Sequence, residues 1–376
     1  MKSKSLLIQL FRITIFSSLW LFALSDVTLA QDPIIIQGTI IDLNDEQPVP
    51  GAQIFLNGTT IGTSSTSDGS FSLKLYRSGI FELVVSSLGY ETVSITINSE
   101  ELDTGYVFGL KPRIYEMDEV VVKPDPKLWQ QDFDLFKEKF IGTGPFSDDT
   151  NILNAEILNF YFDADERVFT AKANDQLIIE NKALGYRIYY LLEYFIIDYK
   201  HSFHSYAGRP FFEPLITKRK RVRKRWTENR KKAYFGSFQH FTHSLLDQTV
   251  REDGYIIKQE KHTEDTRYLI DQILPQTQFF TQIDSATYSL KFEDYLNITY
   301  EKEYEDERYL MAIRSVFDSN PRTMVQHQNS IITLAADSVL IDKSGYIYDP
   351  TVIFSDGYWS FEKISDLLPL DYEPGN

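Results

Sequence analysis

Residues 34–99 constrain the fold of this chain most strongly, because short apolar runs alternate there with turn signals. The runs are rich in Ile, Val and Phe, which are residue types that favour extended strands. Asn57-Gly58 and Asp68-Gly69 each separate two such runs, and these dipeptides are strong signals for a β-hairpin. Strands that recur at this spacing predict an all-β sandwich.

The same stretch carries the motifs of a known module. They are GTIID at 38–42, PGAQI at 50–54, GT at 62–63, DGSF at 68–71 and LGY at 88–90. The stretch resembles the carboxypeptidase-regulatory-like module, a transthyretin-type (prealbumin-like) sandwich of about seven strands. In metallocarboxypeptidases this module is an accessory beside a separate zinc domain, so the resemblance implies a fold and no activity.

The start of the chain has the pattern of an export signal. Lys2, Lys4 and Arg12 are positively charged, residues 13–24 are mostly apolar, and Ala30 ends a stretch typical of a cleavage site. This pattern predicts a secretory signal peptide over residues 1–30. Its apolar core is short for a membrane span, although an uncleaved anchor is the alternative. No later run is long and apolar enough, so we expect no transmembrane span in the mature chain.

Composition excludes several classes of chemistry. The chain has no cysteine, which excludes disulfides, thiolate metal sites, Cys nucleophiles and lipidation of a Cys at the cleavage point. The formal charge of −16 argues against a nucleic-acid partner. Aromatic residues make up 14% of the chain and can supply the buried surface that a disulfide-free exported protein needs.

The chain is predicted to have two domains. Pro124 and Pro126 interrupt the strand pattern that follows the sandwich, and they mark a boundary. We therefore assign a sandwich to residues 31–113, a linker to 114–126 and a second domain to 127–376.

In Bacteroidetes outer-membrane receptors the same module ends in a similar segment of acidic residues followed by valines, before a plug and a large barrel. The remaining residues here are too few for such a barrel.

The second domain is predicted to be a β-rich α+β domain. Trp129, Phe133, Phe136 and Phe140 recur at helical spacing, which predicts a helix over 126–141 with one apolar face. A short helix is expected at 361–368. Strands are expected at 158–162, 167–173, 176–179, 187–199, 254–259, 286–292, 296–304, 331–335 and 338–341.

A basic segment stands out in this acidic chain. Ten of the 38 Lys and Arg residues fall between Lys218 and Lys232. Thr227 is expected to cap a helix whose apolar face continues through Tyr234 and Phe241. We expect a docking face, called the basic face below, that consists of Lys218, Arg219, Lys220, Arg221, Arg223, Lys224, Arg225 and Arg230.

Two interpretations of the basic face remain open. Its cations can bind anionic lipid headgroups or an acidic envelope protein. Alternatively, the chain's own excess of acidic residues neutralises a solvated helix.

A second resemblance covers much of residues 127–376. It rests on WTENRKKAYFGSFQHFTHSLL at 226–246, IENKALGY at 179–186, GYWS at 357–360 and ISDLLPLDY at 364–372. These stretches are similar to those of two-part Bacteroidetes envelope proteins, in which a domain of unassigned function follows the regulatory-like module. The resemblance implies a domain order and a location in the envelope, and it implies no reaction.

No organised catalytic motif is found in the sequence. The chain lacks Gly-x-Ser-x-Gly and His-Glu-x-x-His, and no histidine has Glu three residues later. The pairs His201–His204 and His240–His243 have metal-ligand spacing, but no acidic or Cys partner is spaced to complete either set. We therefore expect no catalytic, cofactor-binding or metal-binding residues, and no cofactor.

These observations favour a non-catalytic binding or scaffolding protein at the periplasmic side of the outer membrane. Two alternatives remain: a glycan or peptide hydrolase with its site in the second domain, and a component of an outer-membrane β-barrel.

Overall fold

The fold is described from a computed structural model of the chain. It describes residues 33–102, 105–113, 125–263, 266–316 and 325–375. The expected signal peptide over 1–30 and most of the expected linker over 114–126 lie outside these residues. No helix in the described part of the chain is both long and apolar enough to cross a membrane.

The first domain is a sandwich of two antiparallel-rich sheets, as the sequence predicts. One sheet has the order β4-β1-β7 and the other β3-β2-β5-β6. Ile36, Ile40 and Leu73 of one sheet and Leu83 and Val85 of the other are buried between them. The strands are β1 (Ile34–Asp42), β2 (Gln53–Leu56), β3 (Gly62–Ser64), β4 (Ser70–Leu75), β5 (Ile80–Ser86), β6 (Val93–Asn98) and β7 (Tyr106–Leu110).

The second domain begins with α1 (Pro126–Phe140), which packs its aromatic face on a six-stranded sheet. The strands are β8 (Thr150–Ile152), β9 (Leu158–Asp163), β10 (Val168–Ala173), β11 (Leu177–Asn181), β12 (Tyr186–Asp198) and β13 (Phe203–Pro214). The long apolar run at 187–199 forms one strand, β12. It pairs with β11 and β10 on one side and with β13 on the other.

No strand is predicted over residues 203–214, and β13 contains both Gly208 and Pro210. Proline has no N–H and is tolerated at the edge of a sheet. In the structure β13 is an edge strand that pairs with β12 alone among the described strands. Gly208 is required because a Cβ there would lie 2.3 Å from the ring of Tyr190 and from the carbonyl oxygen of Leu191.

The rest of the domain is built on two more sheets. Its helices are α2 (Lys220–Tyr234), α3 (Phe238–Leu246), α4 (Glu307–Val316) and α5 (Tyr358–Phe361). Strands β14 (Tyr255–His262), β15 (Arg267–Ile273), β18 (Tyr295–Tyr304), β19 (His327–Leu334) and β21 (Ile353–Gly357) form a five-stranded sheet of order β15-β14-β18-β19-β21. Strands β16 (Phe280–Gln282), β17 (Thr287–Leu290) and β20 (Val339–Asp342) form a three-stranded sheet.

Two expected helices differ in the structure. The basic segment forms its own helix, α2, and Gly236 with a φ of 85° separates it from α3. Thr227 lies inside α2, where its hydroxyl donates to the carbonyl of Arg223, and it does not cap a helix. The helix expected at 361–368 is instead α5, which ends at Phe361, followed by a turn whose Lys363 N–H donates to the carboxylate of Asp366.

Candidate functional site

The sandwich is docked on the second domain through the loop between β2 and β3. The Gly58 N–H donates to the carbonyl oxygen of Pro210 at 2.8 Å, and the Phe212 N–H donates to that of Thr59 at 3.0 Å. The loop therefore occupies one stretch of the outer edge of β13, as an added strand would. On its other side, the Leu370 N–H donates to the Gly58 carbonyl oxygen at 2.8 Å.

Side chains reinforce this docking. Nε of Arg209 on β13 lies 2.6 Å from Oε1 of Glu82 on β5. The rings of Phe55 and Phe211 lie 5.3 Å apart across the same boundary. The Thr60 hydroxyl and N–H both donate to the carboxylate of Asp371. Polar and aromatic contacts thus join the two domains into one packed unit at this boundary.

A cavity of about 510 Å³ lies beside the docked loop. Its walls come from β13, α3, β21 and the segment 362–370, which we call the C-terminal segment. Ligand sites are typically concave and mostly apolar, with a few polar groups, and this cavity has that character. Its apolar walls include Tyr194, Tyr206, Phe238, Ile347, Phe354 and Trp359.

The cavity opens onto the free edge of β13. Tyr206 and Gly208 lie on the core-facing side of that strand, whereas Ser205 and Ala207 lie on the other, and all four line the cavity. The outward peptide groups at Pro210 and Phe212 are used by the docked loop. Because alternate peptide groups of a strand point the same way, those of Tyr206 and Gly208 also point outward. Among the described residues, no backbone group bonds to them there.

Two acidic residues of the C-terminal segment, Glu362 and Asp366, line the cavity. Glu362 is half-buried, and its carboxylate forms no hydrogen bond or ion pair with any residue that the structure describes. Burial, with Asp366 and Glu303 nearby, raises the pKa of Glu362 well above its usual range. Burial also raises the pKa of Asp366 to about 6, while its Oδ2 accepts hydrogen bonds from the Ser365 hydroxyl and the Lys363 N–H.

Lys363 contributes the cation of the cavity wall. Its Nζ lies 5.9 Å from the centre of the Tyr206 ring. Burial, and then the charge of Lys139, lower the pKa of Lys363 to about 8. Lys363 therefore faces a positively charged neighbour, whereas Glu362 faces negatively charged ones.

The histidines with metal-ligand spacing have different roles in the structure. His240 is buried; its Nδ1 accepts from the Gly236 N–H and lies 2.9 Å from the Tyr255 hydroxyl oxygen. Nδ1 of His243 lies 2.8 Å from the Tyr234 hydroxyl oxygen. Burial lowers the pKa of His240 to about 4. These contacts make both rings part of the packing around α3.

The other histidine pair is split. His201 lies in the turn before β13, with its Nδ1 2.8 Å from Oδ2 of Asp198. His204 is half-buried on β13, where burial and the charge of Lys363 lower its pKa to about 4. No group of three or more His, Asp or Glu residues with metal-site geometry occurs within the described ranges.

The structure exposes most of the basic face. Its members from Lys218 to Arg225 are exposed on and before α2. Arg230 differs, because its Nε donates to the Leu184 carbonyl oxygen at 2.7 Å and its guanidinium lies 4.0 Å above the Tyr186 ring. Arg230 is thus half-buried and holds α2 on the sheet, so it does not belong with the exposed cations.

Sequence reasoning missed the cavity residues. Residues 364–372 belong to one of the resemblances described above, but Glu362 and Asp366 are not among the predicted site residues. Their position depends on packing between distant segments, such as the hydrogen bond from the Asn181 amide to the Ser365 carbonyl oxygen at 2.8 Å. The local signal for this site is Glu362, an acidic residue that directly follows the aromatic helix α5.

Comparisons with known proteins identify the first domain. Residues 36–122 match the family model of the CarboxypepD_reg-like domain. TonB-dependent receptor P39 of Formosa agariphila is 37% identical over 87 residues, which are 23% of this chain and 8% of the receptor. The chain thus covers only a small part of the length of that receptor.

A solved structure of a Bacteroides fragilis NCTC 9343 protein of unknown function is also similar. The match has 16% identity and a TM-score of 0.17, and it covers 43% of this chain and 65% of that chain. A likeness of this size carries no argument about the second domain. The family match and the two-sheet sandwich agree: this chain carries a CarboxypepD_reg-like domain at residues 36–122.

Proposed function

We propose that this protein is a non-catalytic binding protein of the cell envelope, acting at the periplasmic side of the outer membrane. The location is supported by the CarboxypepD_reg-like domain and by the similarity of that region to a TonB-dependent receptor. The observation that carries the binding role is the cavity of about 510 Å³ that surrounds the free edge of β13. The ligand is held there, in a cavity whose lining residues all belong to the second domain.

The polar groups around the cavity support binding over catalysis. Asp366 is already hydrogen-bonded within its own turn, and the ring nitrogens of His240 and His243 contact neighbouring side chains. Neither of these histidines lines the cavity. A general base or acid must reach the reacting group. These side chains instead contact neighbouring protein groups, so they are poorly placed for catalysis in the cavity.

One observation favours the hydrolase as a second candidate. Glu362 has a raised pKa and lies near Asp366 on the wall of a cavity. A carboxyl group kept protonated by burial can act as a general acid. If the protein hydrolyses peptides or glycans, Glu362→Gln will abolish that activity while ligand binding persists.

Native mass spectrometry of the tagged full chain, recovered from gently solubilised envelopes, tests the binding role. Ser355→Trp places a large side chain in the cavity from β21, and Asp356→Trp is the matched control at an exposed neighbour that does not line it. We expect a bound mass on wild type and Asp356→Trp that is lost from Ser355→Trp. Equal retention by all three proteins, or no bound mass on wild type, would contradict the proposal.

A further inference from the structure

We propose that the occupant of the cavity is an extended peptide segment with a basic side chain, which adds as a strand to the edge of β13 and places its cation beside Glu362. This inference rests on the proposed binding function and names the chemistry of the ligand. Strand addition to an open sheet edge is an established way to bind peptides, with main-chain hydrogen bonds giving affinity and side-chain pockets giving specificity.

The edge of β13 has the geometry that strand addition needs. The outward N–H and C=O groups of Tyr206 and Gly208 have no backbone partner among the described residues. Open edges of this kind attract pairing, and proteins normally cover or shorten them. Here the cavity leaves space along the edge, since residues from both faces of β13 line it.

The same edge already carries a peptide segment in this chain. The loop at Gly58 and Thr59 bonds to Pro210 and Phe212, immediately after the open stretch. An added peptide at Tyr206 and Gly208 would continue the row of hydrogen bonds that the loop begins. The proposed site is therefore continuous with an interface that the structure shows.

The acidic residues at and near the cavity wall favour a ligand with a basic side chain. Within the described part of the chain, no donor or cation contacts the carboxyl group of Glu362, and the acidic residues Asp366 and Glu303 lie near it. A cation beside this carboxyl group would stabilise its ionised form, which burial and the two acidic neighbours disfavour. Lys363 does not occupy this position, because its ammonium group lies toward the Tyr206 ring and the Lys139 charge.

The apolar walls accept the rest of the peptide. Successive side chains of a strand point to opposite faces, so a peptide of alternating character presents apolar groups to one side and cations to the other. Tyr206, Phe238 and Trp359 supply aromatic surface for the apolar groups.

Fluorescence anisotropy with three synthetic peptides and the full chain tests this inference. The probes are fluorescein-labelled VKVKV, the acidic VEVEV, and VKVKV with N-methyl groups on alternate amides. N-methylation removes the donors and blocks strand pairing, and the acidic probe places like charge beside Glu362. We expect VKVKV to bind at least about tenfold more tightly than either control probe.

Two variants locate that binding. Glu362→Gln retains the shape of the side chain and should weaken VKVKV binding by about tenfold, because it removes a charge-assisted contact. Ser355→Trp should remove binding, and Asp356→Trp should leave it unchanged. Equal binding of all three probes, binding insensitive to Glu362→Gln, or no binding of VKVKV would overturn the inference.

The two proposals fail separately. If envelope-purified wild type carries a non-peptide mass that Ser355→Trp lacks, the cavity binds a ligand but the ligand is not a peptide. If no mass is retained and no probe binds, the binding function itself is wrong.

Discussion

Nε of Arg209 in the second domain lies 2.6 Å from Oε1 of Glu82 in the sandwich, and both side chains are largely withdrawn from solvent. The exposed fractions of the two side chains are 26% and 14%. Arg209 also contacts Glu193 on β12, and the second oxygen of Glu82 accepts from the Asn57 amide at 2.7 Å. This network fixes the sandwich on β13 beside the cavity.

Loss of Arg209 should therefore destabilise the joined domains. We expect Arg209→Met to cost about 1 to 3 kcal/mol in the free energy of unfolding, because it leaves the Glu82 carboxylate partly buried without its cation. Urea denaturation measures the cost. Arg251→Met breaks a solvent-exposed pair with Glu301 and should cost less than about 1 kcal/mol. Equal costs would show that the Arg209 contact does not join the domains.

Arg230 should behave as a structural residue. Its contacts with the Leu184 carbonyl and the Tyr186 ring predict a cost of about 1 to 3 kcal/mol for Arg230→Met. Arg221→Met is the matched control on the exposed side of α2, and it should change stability by less than about 0.5 kcal/mol. Thermal and urea unfolding of the two variants compare them directly. If Arg230→Met does not change the free energy of unfolding, Arg230 is not a structural residue and belongs with the exposed cations of the basic face.

The basic face should govern association with the envelope. We expect reversal of Arg219, Arg221, Arg223 and Arg225 to Glu to abolish sedimentation with vesicles that contain anionic lipid, because each cation near such a surface contributes about 1 kcal/mol. The matched control changes the same four residues to Lys and conserves the charge. Binding by the control should weaken with added salt. If the charge-reversed variant sediments with the vesicles as the wild type does, the basic face does not bind lipid and is only a solvated surface.

Stability should fall on acidification through His240. Burial lowers the pKa of His240 in the folded state to about 4, and the nearby carboxylate of Asp253 opposes this shift only in part. The unfolded chain binds the proton near pH 6.5, so this contribution is complete above about pH 6.5 and is lost as the pH falls toward 4. Its size is on the order of 3 kcal/mol.

Urea denaturation at several pH values isolates the histidine. His240→Gln should flatten the decline between pH 6.5 and 4.5 relative to wild type. The comparison is necessary because Asp366, with its pKa raised to about 6, contributes with the opposite sign. Parallel curves for the two proteins would contradict the assignment to His240.

Ligand binding should release a proton from Glu362. Its pKa is raised by burial and by Asp366 and Glu303, and a bound cation should lower it. Affinity for VKVKV should therefore rise as the pH rises through the raised pKa. Calorimetry in two buffers of different ionisation enthalpy measures the released proton, and Glu362→Gln should release none. Proton uptake by the wild type on binding, or no proton exchange, would contradict this prediction.

Local signals explain what the sequence predicts correctly. Gly58 and Gly69 adopt φ values of 74° and 75° at the expected turns, and these conformations depend on neighbouring residues only. The helix at 126–141 was likewise recognisable from the spacing of Phe136 and Phe140, which are both buried. Sandwich and helix are thus encoded within short windows.

The site depends on long-range packing, which short windows do not contain. Gly208 and Pro210 are typical of a turn, and they form a strand only because Tyr190 packs over the glycine and the loop at Gly58 bonds to the proline carbonyl. Arg230 looks like its basic neighbours, and its role depends on where the Tyr186 ring lies. Glu362 becomes a cavity residue only through the arrangement of several distant elements.

Amide hydrogen exchange at Tyr206 and Gly208 is the most direct measurement of the binding account. With VKVKV added to the full chain, we predict slower exchange at these two amides, which face the cavity, and unchanged exchange at Ser205 and Ala207, which face β12. Protection that appears only elsewhere, or no change at Tyr206 and Gly208 under saturating peptide, would contradict strand addition at this edge.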